Sequence, residues 1–267
     1  MLNLLEIYKN EFGYTKKKFG QHFLTSRQFI DMIAESLNGA ESRQVVEIGP
    51  GCGVLTHAML EKGLKVTAVE IDNELAEFLP RYLFIYKGFK IIHSDFMKIT
   101  ADQLPEGRFA FAGNLPYNVS VDIMMHCIKF FDHIEKMTFM FQKEVADRIN
   151  AKPNSKEYTS LSVITSYFFD IKKLKDISGG QFWPNTKVRS TVLEFYPKER
   201  ALEPDREKRF LEMVKKSFVL KRKTLHNNLK SYPDHEAAME RAGLASNIRG
   251  EQMTLDDFLR LFGELDV

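Results

Sequence analysis

Three glycines stand at alternate positions in VEIGPGCGVLT: Gly49, Gly51 and Gly53. Glycine there lets the chain turn tightly and lets a ligand come close to the backbone. Glu70 follows 21 positions after Gly49, near the end of the run LKVTAVEID. A carboxylate at that point can accept hydrogen bonds from both hydroxyls of a ribose. Asp95 closes IIHSD, where an acid can meet an adenine amino group. Taken singly, the glycines fit an ordinary turn and Asp95 fits a helix N-cap. Glycines followed by acids at two successive strand ends point instead to a bound nucleoside. A dinucleotide fingerprint, G-x-G-x-x-G, would place glycine at position 54; the residue there is Val54, and Glu47 stands two positions before the first glycine.

That E-x-G-x-G-x-G order resembles motif I of the S-adenosylmethionine-dependent methyltransferases. Asn114-Leu115-Pro116-Tyr117 follows RFAFAGN directly and resembles the N-(L/I/P)-P-Y motif of methyltransferases that modify exocyclic amino groups of bases. The residue types suit that chemistry. An adenine amino nitrogen is a poor nucleophile because its lone pair is delocalised into the ring. The Asn114 side-chain oxygen and the Leu115 carbonyl can accept its two N–H bonds, which turns the lone pair toward an electrophilic methyl group and stabilises developing charge. Pro116 stiffens the turn, and Tyr117 offers a ring face to an extruded base. The bland alternative is a β-turn begun by Asn.

The elements that must hold these residues alternate. Residues 27–37 predict a helix with Phe29, Ile30, Ile33 and Leu37 on one face, capped by Thr25 or Ser26. Strands are expected at 44–49, 64–72, 89–95, 108–114 and 136–142, with helices at 52–63, 72–83 and 120–131 and Asp72 as an N-cap. Such alternation is the signature of a doubly wound, mostly parallel sheet. Residues 161–169 read equally as helix or strand. Residues 172–178 and 190–197 read as an antiparallel extension of the sheet. After Pro197 the chain turns polar, and helices alone are expected from about 206 to 263. The expected architecture is a Rossmann-like α/β domain over 1–204, with a seven-stranded sheet and an arm at 1–25, followed by a small all-helical domain over 205–267.

The chain has 267 residues with 38 Lys plus Arg against 36 Asp plus Glu, so net charge alone announces no nucleic-acid binder. Its distribution says more. Lys16, Lys17 and Lys18 form one cluster, Lys172, Lys173 and Lys175 a second, and Lys215, Lys216, Lys221, Arg222 and Lys223 a third without an intervening acid. Single clusters are commonly solvated faces, but a groove lined by several attracts phosphates. Apolar runs fall far short of the ~20 residues of a membrane span. Glu6 interrupts the first apolar stretch and the lysines follow it, the reverse of a secretory signal. With only Cys52 and Cys127, no disulfide framework is possible within the chain, and a cytoplasmic protein is expected. His22, His57, His93, His126, His133, His226 and His235 show no metal-ligand spacing, so no metal is expected. Cys52, Trp183, Met124 and Met125 read as packing residues.

Further blocks extend the likeness: KKFGQHFL (17–24), AVEID, SDFM, GNLPYNVS, QKEVADRI (142–149), PNSKEYTSLSV (153–163), QFWPNTKVRSTV (181–192) and SFVLKRKTLHNNL (217–229). In this order they resemble the ribosomal RNA adenine dimethyltransferases, in particular the KsgA type that acts on small-subunit rRNA. The resemblance covers most of residues 16–255. It implies two methyl transfers to the N6 of each of two adjacent adenosines in a 3′-terminal hairpin loop of 16S rRNA. It also implies S-adenosylmethionine as cofactor, the assembling small subunit as partner, and a monomer. The implied cofactor contacts are His22, Leu24, Gly49, Gly51, Glu70, Ile71, Asp95, Phe96 and Asn114. The implied catalytic set is Asn114, Leu115, Pro116 and Tyr117, with Phe182 stacking on the base opposite Tyr117. Lys187, Lys221, Arg222 and Lys223 would hold rRNA backbone.

Three departures stand out. His22 occupies a position where many relatives have Asn. Asn185 and Thr186 replace two prolines, which makes that loop less stiff. Lys221 stands where another residue often precedes the arginine. The alternatives are an Erm-type enzyme acting on large-subunit rRNA, or a non-catalytic assembly or transcription factor on the same scaffold. The blocks at 153–163 and 221–229 favour the small-subunit type, and intact Glu70, Asp95 and Asn114 favour an enzyme. Val54 and the N-L-P-Y run weigh against a nicotinamide-dependent oxidoreductase.

Overall fold

A computed structural model describes residues 3–16 and 20–265. Lys17 and Lys18 of the first basic cluster, and the opening of the KKFGQHFL block, lie outside the described residues. The chain divides into two compact units, residues 1–146 with 172–197, and residues 147–171 with 198–267. The boundary expected at 204/205 therefore falls inside the second unit.

The first unit is built on a seven-stranded sheet. In chain order its strands are β2 (Gln44–Ile48), β3 (Lys65–Glu70), β4 (Phe89–His93), β5 (Phe109–Asn114), β6 (Ile134–Gln142), β7 (Phe169–Ile177) and β9 (Ser190–Pro197). Spatially they run β4-β3-β2-β5-β6-β9-β7. The pairs from β4 to β6 are parallel, and β9 lies antiparallel to β6. Val45, Val46, Ala110, Phe111 and Ala112 are wholly buried, as expected of central parallel strands covered on both faces. Strand order reverses between β2 and β5, where open α/β sheets place ligands outside the carboxyl ends of their strands.

The helices α2 (Arg27–Asn38), α3 (Val54–Glu61), α4 (Asn73–Leu83) and α5 (Ser120–Cys127) follow the sequence pattern closely. Asp72 caps α4 by accepting the Glu74 N–H at 3.1 Å. Ser26 occupies the N-cap of α2 without a side-chain capping bond. Helix α6 (Lys143–Ile149) was not expected from the sequence, nor was α1 (Leu4–Glu11). At eight residues α1 is too short to persist alone. Tertiary burial supports it: Tyr8 is fully buried, stacked on Phe12 at 4.9 Å and edge-on to Phe23 at 5.2 Å and Phe78 at 5.7 Å. A two-residue ribbon, β1 (Phe23–Leu24) against β8 (Phe182–Trp183), completes the unit.

The second unit contains α7 (Ser160–Phe168), α8 (Pro204–Ser217), α9 (Leu225–Asn228), α10 (His235–Arg241) and α11 (Leu255–Glu264). The ambiguous run at 161–169 is helical almost throughout. Leu161, Val163, Ile164, Tyr167 and Phe168 are all buried, and Tyr167 packs on Phe210 at 5.1 Å, which packs on Phe262 at 5.5 Å. Ser162 and Thr165, on its polar side, are buried as well, so burial takes in both sides of the helix. Among the described residues no helix is long and apolar enough to cross a membrane.

Candidate functional site

The carboxyl ends of β2, β3, β4 and β5 open on a cavity of about 310 Å³ in the first unit. Gly49 to Gly51 form one wall, Glu70 and Ile71 the next, Ser94 to Met97 the third, and Asn114 to Val119 the fourth; Gly20 to Leu24 of the arm cross it. The sequence-expected residues His22, Leu24, Gly49, Gly51, Glu70, Ile71, Asp95, Phe96, Asn114, Leu115, Pro116 and Tyr117 all line this one space.

The glycine wall follows from backbone geometry. Gly49, Gly51 and Gly53 have φ of +65°, +58° and +83°, a region L-residues with a Cβ enter only under strain. A Cβ at Gly51 would stand 2.7 Å from the Phe23 ring, while one at Gly49 would meet nothing within 4 Å. Gly49 therefore leaves room beside the cavity, and Gly51 makes room for the arm.

Glu70 is 4 % exposed and already partly engaged. Oε1 accepts the Asp72 N–H at 2.9 Å and Oε2 the Gly51 N–H at 3.3 Å. Burial pushes its carboxyl up to about 7. Glu47, deeper at the end of β2, is pushed up to about 8 by burial, with the Thr56 hydroxyl donating to Oε2 at 2.6 Å. Asp95 plays the capping part considered for it, with Oδ1 accepting the Met97 N–H at 3.0 Å. Asp95 lines the cavity, and its Oδ2 is not used in that cap. Around these acids, Ile71 and Met97 keep 46 % and 42 % of their surface exposed. Apolar side chains left open beside buried carboxylates fit a nucleoside: ring faces on the apolar groups, hydroxyls and amino group on the acids.

Asn114 ends β5, in register with Met140 of β6. Its Nδ2 donates to the His22 carbonyl at 2.7 Å. A carbonyl can only accept, so the amide orientation is fixed and Oδ1 remains as a free acceptor. His22 in turn places Nδ1 2.9 Å from the Pro184 carbonyl, making that nitrogen the proton carrier. The His22 and Tyr117 rings lie nearly parallel, 20° apart with centroids at 6.2 Å. Tyr117 Oη shares a hydrogen bond with Ser190 Oγ at 2.8 Å, and burial pushes its phenol up.

Phe182 does not fit the base-stacking role expected of it. It is 1 % exposed, pairs with Leu24 across the β1–β8 ribbon, belongs to the apolar core and does not line the cavity. The ring aligned with Tyr117 is that of His22. Trp183, next in sequence, packs on Phe23 at 6.2 Å and Tyr8 at 6.3 Å, in keeping with a packing role. Cys52 is fully buried, and burial pushes its thiol up to about 12, so it is inert. Lys187 is exposed in the first unit, and Lys221, Arg222 and Lys223 are exposed in the second; none lines the cavity.

Two features were invisible in the sequence. Asp72, 1 % exposed, accepts from Lys16 Nζ at 2.6 Å and Gln21 Nε2 at 2.9 Å, tying the arm to the end of β3. The separations of 56 and 51 residues leave no local trace. The fold also gathers His226, His235 and Glu236, which their sequence spacing did not suggest.

A family model described as ribosomal RNA adenine dimethylase matches residues 14–266. A protein of Sulfurihydrogenibium sp. (strain YO3AOP1), named ribosomal RNA small subunit methyltransferase A, is 36 % identical over 94 % of this chain and 96 % of its own length. One of the same name from Clostridium botulinum (strain Kyoto / Type A2) is 37 % identical over 97 % of each chain. Among solved structures, the 23S rRNA methyltransferase ErmE superposes with a TM-score of 0.73 at 28 % identity, covering 92 % of this chain and all of that one. A dimethyladenosine transferase from Plasmodium falciparum reaches 0.76 at 23 % identity over 90 % of this chain and 96 % of that one, a likeness of fold. Matched in this way from the arm to the last helix, the chain belongs to the ribosomal RNA adenine dimethylase family.

Proposed function

We propose that this protein dimethylates the N6 amino groups of two adjacent adenosines in the 3′-terminal hairpin loop of small-subunit rRNA, using S-adenosylmethionine. The observation that carries the reading is the fixed Asn114 amide: Nδ2 is spent on the His22 carbonyl, so Oδ1 is available to accept from a target amino group. When bound, S-adenosylmethionine supplies a methyl group on a positively charged sulfur. Glu70 would hold the ribose hydroxyls, Asp95 the adenine amino group, and Ile71 and Met97 the base faces. Asn114 Oδ1 and the Leu115 carbonyl would take the two target N–H bonds and aim the nitrogen lone pair at the methyl carbon. Transfer would form the N–C bond at the expense of the methyl–sulfur bond, and the amino proton would pass to solvent. Tyr117 and His22 would present ring faces to the extruded base. Lys187 and the 221–223 stripe would hold rRNA phosphates.

The small-subunit target is supported by relatives of that name at 36 and 37 % identity along nearly the whole chain; the 23S enzyme stands at 28 %. The test offers methyl-labelled S-adenosylmethionine with unmethylated small subunits and, in parallel, protein-free large-subunit RNA. Dimethyladenosine in the small subunit alone is the expected result. Label only in large-subunit RNA would move the assignment to the Erm type, and no label in either substrate would leave a binding factor.

A further inference from the structure

The second unit brings together three side chains for which the proposed reaction has no use. One ring nitrogen of His226, one of His235 and a carboxylate oxygen of Glu236 all lie within 4.8 Å of one another. His226 comes from α9, whereas His235 and Glu236 open α10. The two imidazole centroids are 4.9 Å apart, and His226 Nδ1 lies 3.4 Å from Glu236 Oε1.

His235 is the decisive member. It is 8 % exposed, and its Nδ1 lies 2.7 Å from the Tyr232 carbonyl. That carbonyl only accepts, so Nδ1 carries the proton and Nε2 presents a lone pair. Nε2 is buried and has no hydrogen-bond partner. Buried acceptors in folded proteins are nearly always satisfied, and one that is not calls for a missing ion or water. His126 Nε2 is likewise buried without a partner, but His126 belongs to no such cluster; among the described residues His226, His235 and Glu236 form the only group of its kind.

We propose that His226, His235 Nε2 and Glu236 bind a divalent transition-metal ion of the zinc type, with a coordination position left for water. Two imidazoles and one carboxylate are a zinc-type donor set, and imidazole disfavours magnesium and calcium. A ligating histidine characteristically donates its other ring N–H to a carbonyl or carboxylate, as His235 does to Tyr232. Ligand atoms around one zinc ion stand about 3.3 Å apart, given Zn–N distances near 2.0 Å. The cluster can close to that spacing by side-chain rotation, because the Glu236 and His226 side chains keep 73 % and 32 % of their surface exposed. A bound ion would clamp α9 to α10, in the unit that carries Lys221, Arg222 and Lys223.

The test uses the full chain after dialysis against a chelator. Cobalt(II) is titrated by visible absorption, and zinc is then titrated by calorimetry. The expected result is one cobalt per chain with intense bands of low-coordinate geometry, displaced by one equivalent of zinc. His226→Gln and Glu236→Gln should each weaken zinc binding at least about tenfold, with the circular dichroism spectrum unchanged. Zinc should raise the melting temperature of the parent protein and not of His226→Gln. His133→Gln, at a half-buried histidine outside the cluster, should bind as the parent does. His235 is left intact because its substitution could unfold the unit. A weak octahedral cobalt spectrum, or unaltered zinc affinity in His226→Gln and Glu236→Gln, would overturn the site.

Discussion

Asn114 carries two obligations at once. Its amide nitrogen holds the arm through the His22 carbonyl at 2.7 Å, and in the proposed function its oxygen is the acceptor for the target amino group. Asn114→Ala should lower methyl transfer by at least about a hundredfold, the scale seen when a positioned transition-state partner is lost. Cofactor affinity should fall by less than about tenfold, because a single neutral hydrogen bond is given up. Parallel calorimetry and turnover separate the two effects, and a variant with full turnover would remove Asn114 from the chemistry. The buried acids make a pH prediction. Burial holds Glu70 near 7 and Glu47 near 8, against an ordinary 4.5. Between those limits the folded state keeps protons that the unfolded chain has released, so stability falls as pH rises and the loss is complete above about 8. Calorimetry of the cofactor-free protein should show its melting temperature dropping from about pH 5 to about pH 9, with Glu47→Gln flattening the drop.

At the scale of elements, the site depends on how closely β2 and β5 approach. A Cβ at Gly113 would stand 2.6 Å from the Ile48 carbonyl oxygen, a backbone atom that cannot swing away. Gly113→Ala should therefore cost about 1–3 kcal/mol, as overpacking does, and displace Asn114 next to it. Gly49→Ala meets no neighbour and should cost only about 1–2 kcal/mol, for its positive φ. Urea unfolding beside a transfer assay tests the contrast: Gly113→Ala should lose more activity than its stability loss explains. The β1–β8 ribbon argues in the same way. Phe182 is buried in the core, so Phe182→Ala should destabilise by about 3–5 kcal/mol, while Phe182→Leu should fold and keep its KM for RNA. A Phe182→Leu protein that folds normally yet loses its grip on the base would restore the stacking role.

Across the whole molecule, charge is uneven although the sum is near neutral. Residues 201–267 hold 12 basic and 12 acidic side chains, yet Lys221, Arg222 and Lys223 are consecutive and exposed. Changing all three to Glu should weaken binding to the ribosomal particle and flatten its dependence on salt, since fewer counterions are released. Cofactor affinity should not change. A salt slope equal to the parent's would take this stripe out of the RNA surface.

The amino-acid sequence by itself determined the alternating elements from Gln44 to Gln142 and the cavity-lining ends of the strands. Period, glycine and acid are local signals, and a parallel sheet delivers all its carboxyl ends to one edge. Gly49, Glu70, Asp95 and Asn114 were therefore legible before their meeting could be seen. Only the tertiary structure decided the rest. Helix α1 is too short and weakly patterned to be read without the Phe23 and Phe78 rings that bury Tyr8. The second unit begins at Asp147 because α7, buried on its polar as well as its apolar side, packs with α8, while the change in composition comes only after Pro197. Phe182 looked like a base platform because its block carries that role in the family; the ribbon pairing with Leu24 turned its ring into the core. The Lys16–Asp72 tie and the His226–His235–Glu236 group join residues with no local spacing rule, so the packed fold alone could bring them together.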